Sequence, residues 1–336
     1  MEQPPSEKPT RLAFVGDLQL GREVSARITG GVPPAAIWGD MIDPMNDVDA
    51  VVGNLECAVT KGGEPWPRPK AFRFRADPVV VEALTAGNVR CVALANNHVL
   101  DYSAEGLADT RAHLAAAGIA AAGAGANRHE ALTPALFKAG RVTIGFAAIT
   151  NTVPAFAARS ERAGTAYAKI GDDAGGRALL AGLAANLGAG GADIRILSIH
   201  WGPNYRPWPP QGYRRFARRA IDTGFDIVHG HSAHILQAVE FRGAGVILYD
   251  TGDFVDDFWV IPPLRSDRSF LFVVEAERGR VVKLTLHPVS LKIGEVNRAK
   301  GREADAIRRG MIRRCRGYAV DLAEQGDTLV GTARPN

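Results

Sequence analysis

The stretch RLAFVGD, Arg11 to Asp17, is a short apolar run that ends in glycine and delivers an aspartate. Such a run suits a buried strand with Asp17 at its carboxyl end. The same grammar recurs along the chain. Val48 to Asn54 closes on GNLE, Val89 to Asn97 on ANNH, Arg141 to Thr150 on ITNT, Ile194 to His200 on IHWG, Asp226 to His231 on GHSAH and Ile247 to Asp253 on TGDF. Each run ends in polar, chemically useful residues, the pattern expected when loops at one edge of a sheet carry a site.

Helical segments lie between these runs. Asp77 to Gly87 and Ser103 to Gly118 open on capping residues and close on glycine, and Arg177 to Leu187 and Gly212 to Gly224 add two more helices. After Asp256 the pattern changes to strands without intervening helices, Ser269 to Glu275 and Val281 to Leu291, which reads as antiparallel sheet. An α/β start with an antiparallel finish implies a layered sandwich in one domain, sheets within and helices outside. The expected organisation is a loose arm over 1–10, a principal domain over 11–300 and a C-terminal extension over 301–336. The basic cluster in that extension, Arg308, Arg309, Arg313, Arg314 and Arg316, is expected to be a solvated helix face.

Composition limits the function classes. A chain of 336 residues, 46% hydrophobic and 23% charged, has the make-up of a globular protein with a substantial core. A net charge of +4, evenly spread, gives no sign of nucleic-acid binding. The most lipid-like stretch, Ala178 to Ala192, falls short of the roughly 18 to 20 apolar residues that cross a bilayer, so no membrane span is expected. The opening MEQPPSEKPT is polar and proline-rich, which favours a cytoplasmic location over export. Cys57, Cys91 and Cys315 lack CxxC spacing, which disfavours a disulfide framework or a thiolate zinc site.

Five strand ends offer metal-ligating side chains: Asp17, Glu56, Asn97 with His98, His200, and His231 with His234. Eight histidines exist in the chain, and those at 98, 200, 229, 231 and 234 all sit at these positions. Each alone has a plain alternative as a cap, an Asx turn or a satisfied core imidazole. Jointly they make a case for a site, because mixed carboxylate, amide and imidazole donors suit Mn, Fe or Zn. Arg73 and Arg75 alternate with Phe72 and Phe74, so a strand would put both guanidinium groups on one face to bind phosphate or carboxylate; a solvent-facing edge strand is the alternative. Tyr205, near His200 in a Pro-rich loop with Arg206 and Trp208, is a candidate for substrate contact or for loop packing.

The ordered set GD at Asp17, NLE at 54–56, ANNH followed by Asp101, HWG at 200–202, GHSAHILQ at 230–237 and YDTGDF at 249–254 resembles the CapA, or poly-γ-glutamate capsule synthesis, family over roughly residues 11–260. That family looks like a branch of the calcineurin-like metallophosphoesterases. The resemblance implies a four-layer α/β/β/α sandwich and one or two divalent metal ions held by Asp17, Glu56, Asn97, His200, His231 and His234, with Glu56 as the bridging carboxylate. It also implies that His98 contacts substrate, with Asp101 orienting its imidazole. Three departures stand out: Gln19 where ordinary members carry histidine, two residues instead of one between the last two histidines, and Asp253 where CapA-like chains carry asparagine. The expected activity is metal-dependent hydrolysis of a phosphoester or a γ-glutamyl or other amide bond, on a small molecule or an anionic polymer and linked to polymer or specialised-metabolite synthesis. The alternative is a non-catalytic, metal-stabilised scaffold or polymer-binding subunit among synthase partners.

Overall fold

The computed structural model describes residues 8–171 and 173–333. Residues 1–7 of the expected arm lie outside the described residues, whereas Thr10 already opens the first strand. Strands β1 (Thr10–Leu18), β2 (Ala50–Leu55) and β3 (Val89–Ala93) run parallel, with a shift of register in each pairing. Strands β4 (Val142–Thr150), β5 (Ile194–His200) and β6 (Ile227–His231) form the parallel centre of a second sheet, joined by Gly245–Leu248. Strands β7 (Arg268–Glu277) and β8 (Arg280–Lys292) pair antiparallel and return the chain to the first sheet beside β1. Among the described residues the two principal sheets contain ten and six strands.

The alternation along β1 builds the layers. Leu12 and Phe14 pack into a core shared with Phe146, Ile196, Val228 and Ile247 of the second sheet. Ala13 and Val15 face the opposite way, into a core closed by Val24 of helix α1 (Arg22–Thr29), Leu84 of α2 (Val80–Ala86) and Leu107 of α3 (Ser103–Ala116). Side chains that alternate between two cores, with burial continuous along the strand, are what a central parallel strand requires. Leu183 of α4 (Ala174–Ala189) and Phe216 of α5 (Gln211–Asp222) cover the second sheet. The result is the expected order of helix, sheet, sheet, helix.

Three local expectations are corrected. The run Ile247 to Asp253 is not one strand: Gly245–Leu248 stays in the second sheet, and the chain then crosses to the first, where Asp253–Val255 pairs in parallel with β1. The crossing needs glycine, with Gly252 at φ +68°. The alternating Phe-Arg pair does not form a strand over 72–74; only Arg75–Ala76 does, paired with Ala58–Val59. The C-terminal basic cluster is not uniformly solvated. In α6 (Gly301–Arg314), Arg308 is buried against Asp305 and the Asp327 carbonyl, and Met311 and Ile307 enter the main core.

The crossing segment lies against glycines of the strands it passes. A Cβ on Gly16 would stand 1.7 Å from the Gly252 carbonyl oxygen, and one on Gly230 would stand 2.1 Å from that of Tyr249. Both obstacles are backbone, which cannot yield without parting the strands. Gly16→Ala is therefore expected to cost about 3 kcal/mol or more by overpacking in urea denaturation. Gly212→Ala, which meets nothing within 4 Å in the first turn of α5, is expected to be neutral or stabilising by up to about 1 kcal/mol.

Candidate metal centre

The strand ends meet. Asp17 lies near the end of β1, Glu56 just past β2, Asn97 and His98 after β3, His200 at the end of β5 and His231 at the end of β6. Parallel pairing puts His200 directly beside His231, and the chain crossing puts Asp253 directly beside Asp17. His234 is delivered by a turn in which Ser232 (φ 107°) and His234 itself (φ 57°) hold left-handed backbone, a strain of the kind that collects at functional sites.

Two groups of possible ligands result, one of Asp17, His200 and His231 and one of Asp17, His234 and Asp253, with one donor atom from each residue within 4.8 Å of the others in its group. His200 and His231 face each other through Nδ1 at 2.9 Å, and Asp17 Oδ1 lies 4.0 and 3.5 Å from those nitrogens. His234 Nδ1 lies 3.4 Å from Asp17 Oδ2 and 2.8 Å from Asp253 Oδ1. Glu56 Oε1 stands 3.7 Å from His200 Nε2 and 4.0 Å from His98 Nε2. Asp17 is the residue common to both groups.

These side chains are held from behind. Asn54 Nδ2 donates to Asp17 Oδ1 at 2.7 Å, and Asn96 Nδ2 donates to Asn54 Oδ1 at 3.0 Å and to the Leu55 carbonyl at 2.8 Å. Asn96 Oδ1 in turn accepts from the His98 and Val99 amides, so one asparagine fixes the turn that carries His98. His229 is 3.0 Å from the Val15 carbonyl through Nε2, which must carry the hydrogen, and burial pushes its pKa down to about 3. It is a tie between the sheets. Asp250 accepts from the amides of Ala233 and Gly252, bracing the His234 turn.

The donor set fits a divalent transition metal. Asp17 Oδ2, both Glu56 oxygens, Asn97 Oδ1 and Asp253 Oδ2 are buried without a hydrogen-bond partner. Orphaned oxygens of this kind cost about 1–3 kcal/mol each, more when charged, unless something satisfies them. Burial, together with neighbouring carboxylates, raises Asp17 and Glu56 well above the usual range, and burial with Asp250 does the same for Asp253. Burial also depresses His200 and His231 well below 6.5, leaving neutral imidazoles able to donate lone pairs. Gln19, just past the end of β1, is fully buried with both amide atoms unpartnered.

His98 belongs to a second unit. Its Nδ1 lies 2.6 Å from Asp101 Oδ2, which also accepts from the Phe74 amide at 2.7 Å. Lys70 bonds the other Asp101 oxygen and the Asn97 carbonyl, and sits 3.0 Å from His98 Nδ1. Phe74 stacks on the imidazole at 4.0 Å between ring centroids. Burial lowers His98 from 6.5 to about 4, against the opposing pull of Asp101. The imidazole opens on a cavity of about 690 Å³ walled by Arg22, Phe72, Tyr205, His234 and Phe258 among others.

Tyr205 thus lines the cavity, and Arg73 and Arg75 do not. Arg73 donates to the Trp66 and Arg68 carbonyls, and Arg75 lies over the Tyr102 ring at 4.5 Å. Sequence reasoning missed Asp253 as a ligand candidate, Lys70 and Arg22 in the cavity wall, and Phe74. Asp253 was visible only as a departure from a family pattern. Lys70 carried no local signal, because its partner Asp101 lies 31 residues away.

The chain is similar to several known proteins. The family described as bacterial capsule synthesis protein PGA_cap matches residues 11–258. A probable polyglutamine synthesis accessory protein of Mycobacterium tuberculosis is 34% identical over 333 residues, covering 94% of this chain and 86% of that protein. The PGA biosynthesis protein CapA of Bacillus subtilis is 29% identical over 247 residues, covering 73% of this chain and 63% of its own length. Among solved structures, a hypothetical protein from Thermus thermophilus superposes with a TM-score of 0.50 at 15% identity, covering 83% of this chain and 98% of that one, a likeness of fold alone. With the model of the family spanning most of the chain and a relative above 30% identity along nearly all of it, the protein belongs to the PGA_cap, or CapA, capsule synthesis family.

Proposed function

We propose that the chain is a metal-dependent hydrolase acting on a phosphoester or a γ-glutamyl or other amide bond. The observation that carries this reading is the set of unpartnered, buried oxygens on Asp17, Glu56 and Asp253 beside His200, His231 and His234. Asp17, His200 and His231, with Glu56 beside them, would hold one divalent Mn, Fe or Zn ion; Asp17, His234 and Asp253, with Asn97 near His98, would hold a second. Such an ion supplies a hydroxide near neutral pH and polarises the scissile group.

The chain's own part is orientation and proton management. Asp101 fixes the tautomer of His98 by accepting from Nδ1, so Nε2 is the atom that exchanges a proton with substrate in the cavity. Phe74 stacked on the ring and Lys70 on Asp101 prevent the imidazole from turning. Tyr205 stands 5.9 Å from His234, ring to ring, and closes the far wall. The relatives' names, an accessory protein of polyglutamine synthesis and a PGA biosynthesis protein, support a place beside polymer-synthesising partners; the substrate of this reading is a small molecule or an anionic polymer. No helix among the described residues is long and apolar enough to cross a membrane.

Two outcomes test the reading. His98→Ala is expected to lower kcat on p-nitrophenyl phosphate or a γ-glutamyl anilide by about 10² to 10⁴, with metal content by elemental analysis unchanged. Full metal occupancy with no turnover of either substrate by the unaltered protein would instead leave a scaffold.

The second outcome concerns stability. Burial raises Asp17, Glu56 and Asp253, so the folded metal-free chain holds protons that the unfolded chain has released; that stability is lost as pH rises through the raised values. His98 and His229 run the other way: held neutral when folded, they cost stability as pH falls from 6.5 towards about 4 and about 3. An ion replaces the carboxylate protons. The rise in Tm on adding Mn is therefore expected to be larger at pH 8 than at pH 6, and Asp17→Asn should abolish the difference.

A further inference from the structure

A second concave site lies away from the metal centre. A crevice of about 170 Å³ is lined by Arg265, Arg268, Arg313 and Arg314, with Gly310 and Leu236 in its floor and wall. Asp267 pairs with Arg265, and Glu303 is shared between Arg265 at 3.0 Å and Arg268 at 3.6 Å. Among the described residues no carboxylate pairs with Arg313 or Arg314. Four guanidinium groups against two carboxylates leave an excess of two positive charges in a recess that is partly withdrawn from water. Arg314 Nε is buried without an acceptor, and Arg268 Nε has only the 3.6 Å ion pair with Glu303 and no hydrogen bond.

Arg313 and Arg314 are consecutive in α6, and adjacent residues on a helix ordinarily diverge by about 100°. Here they converge. A Cβ on Gly310 would meet Arg314 Nη1 at 3.0 Å and Arg313 Nη2 at 4.0 Å, so the missing side chain is what lets both groups fold back over one turn. Bringing two like charges together at the expense of solvation is unfavourable unless an anion occupies the gap. Arginine is the residue suited to that task, since its planar fork matches carboxylate and phosphate oxygens in pairs.

The loop from Asp257 to Arg265 forms a wall of both recesses. Asp257, Phe258, Trp259 and Ile261 face the cavity of His98, whereas Pro263, Leu264 and Arg265 face the crevice. The two cations of the His98 cavity are already committed, Arg22 to Asp257 and Lys70 to Asp101. Unspent positive charge is therefore found on the crevice side of the loop.

We propose that the crevice at Arg265, Arg268, Arg313 and Arg314 is an oxyanion-binding subsite, separate from the metal centre, that takes carboxylate or phosphate groups in bidentate contact with Arg313 and Arg314. The two sources share one chemistry. A γ-linked oligoglutamate would set side-chain carboxylates there; free phosphate or a phosphorylated small molecule would set its own oxygens.

The test is calorimetric titration of the full chain at low salt with oligo-γ-glutamate and, separately, with inorganic phosphate. The unaltered protein is expected to bind at least one of them, and Arg313→Gln with Arg314→Gln to weaken that binding about tenfold or more, the loss expected for two charge-assisted contacts. The single change Arg313→Gln, at an exposed position, should weaken it in part with Tm unchanged, which separates a lost contact from a lost fold. Asp17→Asn should leave crevice binding intact, so an anion held by the metal centre is distinguished and failure of the hydrolase reading does not decide this one. Tighter binding of the oligomer identifies a polymer handle, and tighter binding of phosphate a small-molecule subsite. Binding of neither anion, or binding that the double variant leaves within twofold, overturns the proposal.

Discussion

A carboxylate with no exposure to water and one oxygen without a partner is the constraint around which this molecule is arranged. Asp17 lies near the end of the strand that both principal cores share, so it can be moved neither towards solvent nor away from the histidines without parting the layers. Its charge is tolerable only if the surroundings supply compensation. Asn54 supplies one hydrogen bond, and His231 and His234 approach its two oxygens at 3.5 and 3.4 Å. The remaining deficit is what a cation would fill.

Much of this was legible in the sequence. Short apolar runs with polar ends defined the parallel strands to within a few residues, because a strand buried on both faces has few ways to be written. Asp17, Glu56, Asn97, His98, His200, His231 and His234 could be named because ligands at strand ends are carried by local motifs such as ANNH and GHSAH. The rest depended on distance in space between segments remote in sequence. The split of Ile247 to Asp253 into two strands in different sheets is a tertiary decision, made by the pairing of Asp253 with Asp17, and within the seven residues only Gly252 marks it. Arg73 and Arg75 misled for the opposite reason: their alternation looked like a strand, but the segment packs as irregular chain and spends Arg73 on loop carbonyls.

The cavity and the crevice divide the chemistry between them. The first is lined by aromatic rings and by cations that are already paired, with Arg22 lying 4.7 Å from the Phe74 ring centre and 5.4 Å from that of Phe258. The second is small, polar and positive. A loop that walls both gives the protein two kinds of surface within a few residues, one suited to shaping a reaction and the other to holding charge.

The placement of β1 also has a consequence for biosynthesis. Its antiparallel neighbour begins at Arg268, some two hundred and fifty residues later, and the short strand that completes the ligand set begins at Asp253. A ribosome releases the first segment long before either partner exists. Until then an apolar edge stands unpaired, and pairings of such sequence separation form slowly. This sheet therefore cannot be completed beside β1 until Arg268–Glu277 has been translated.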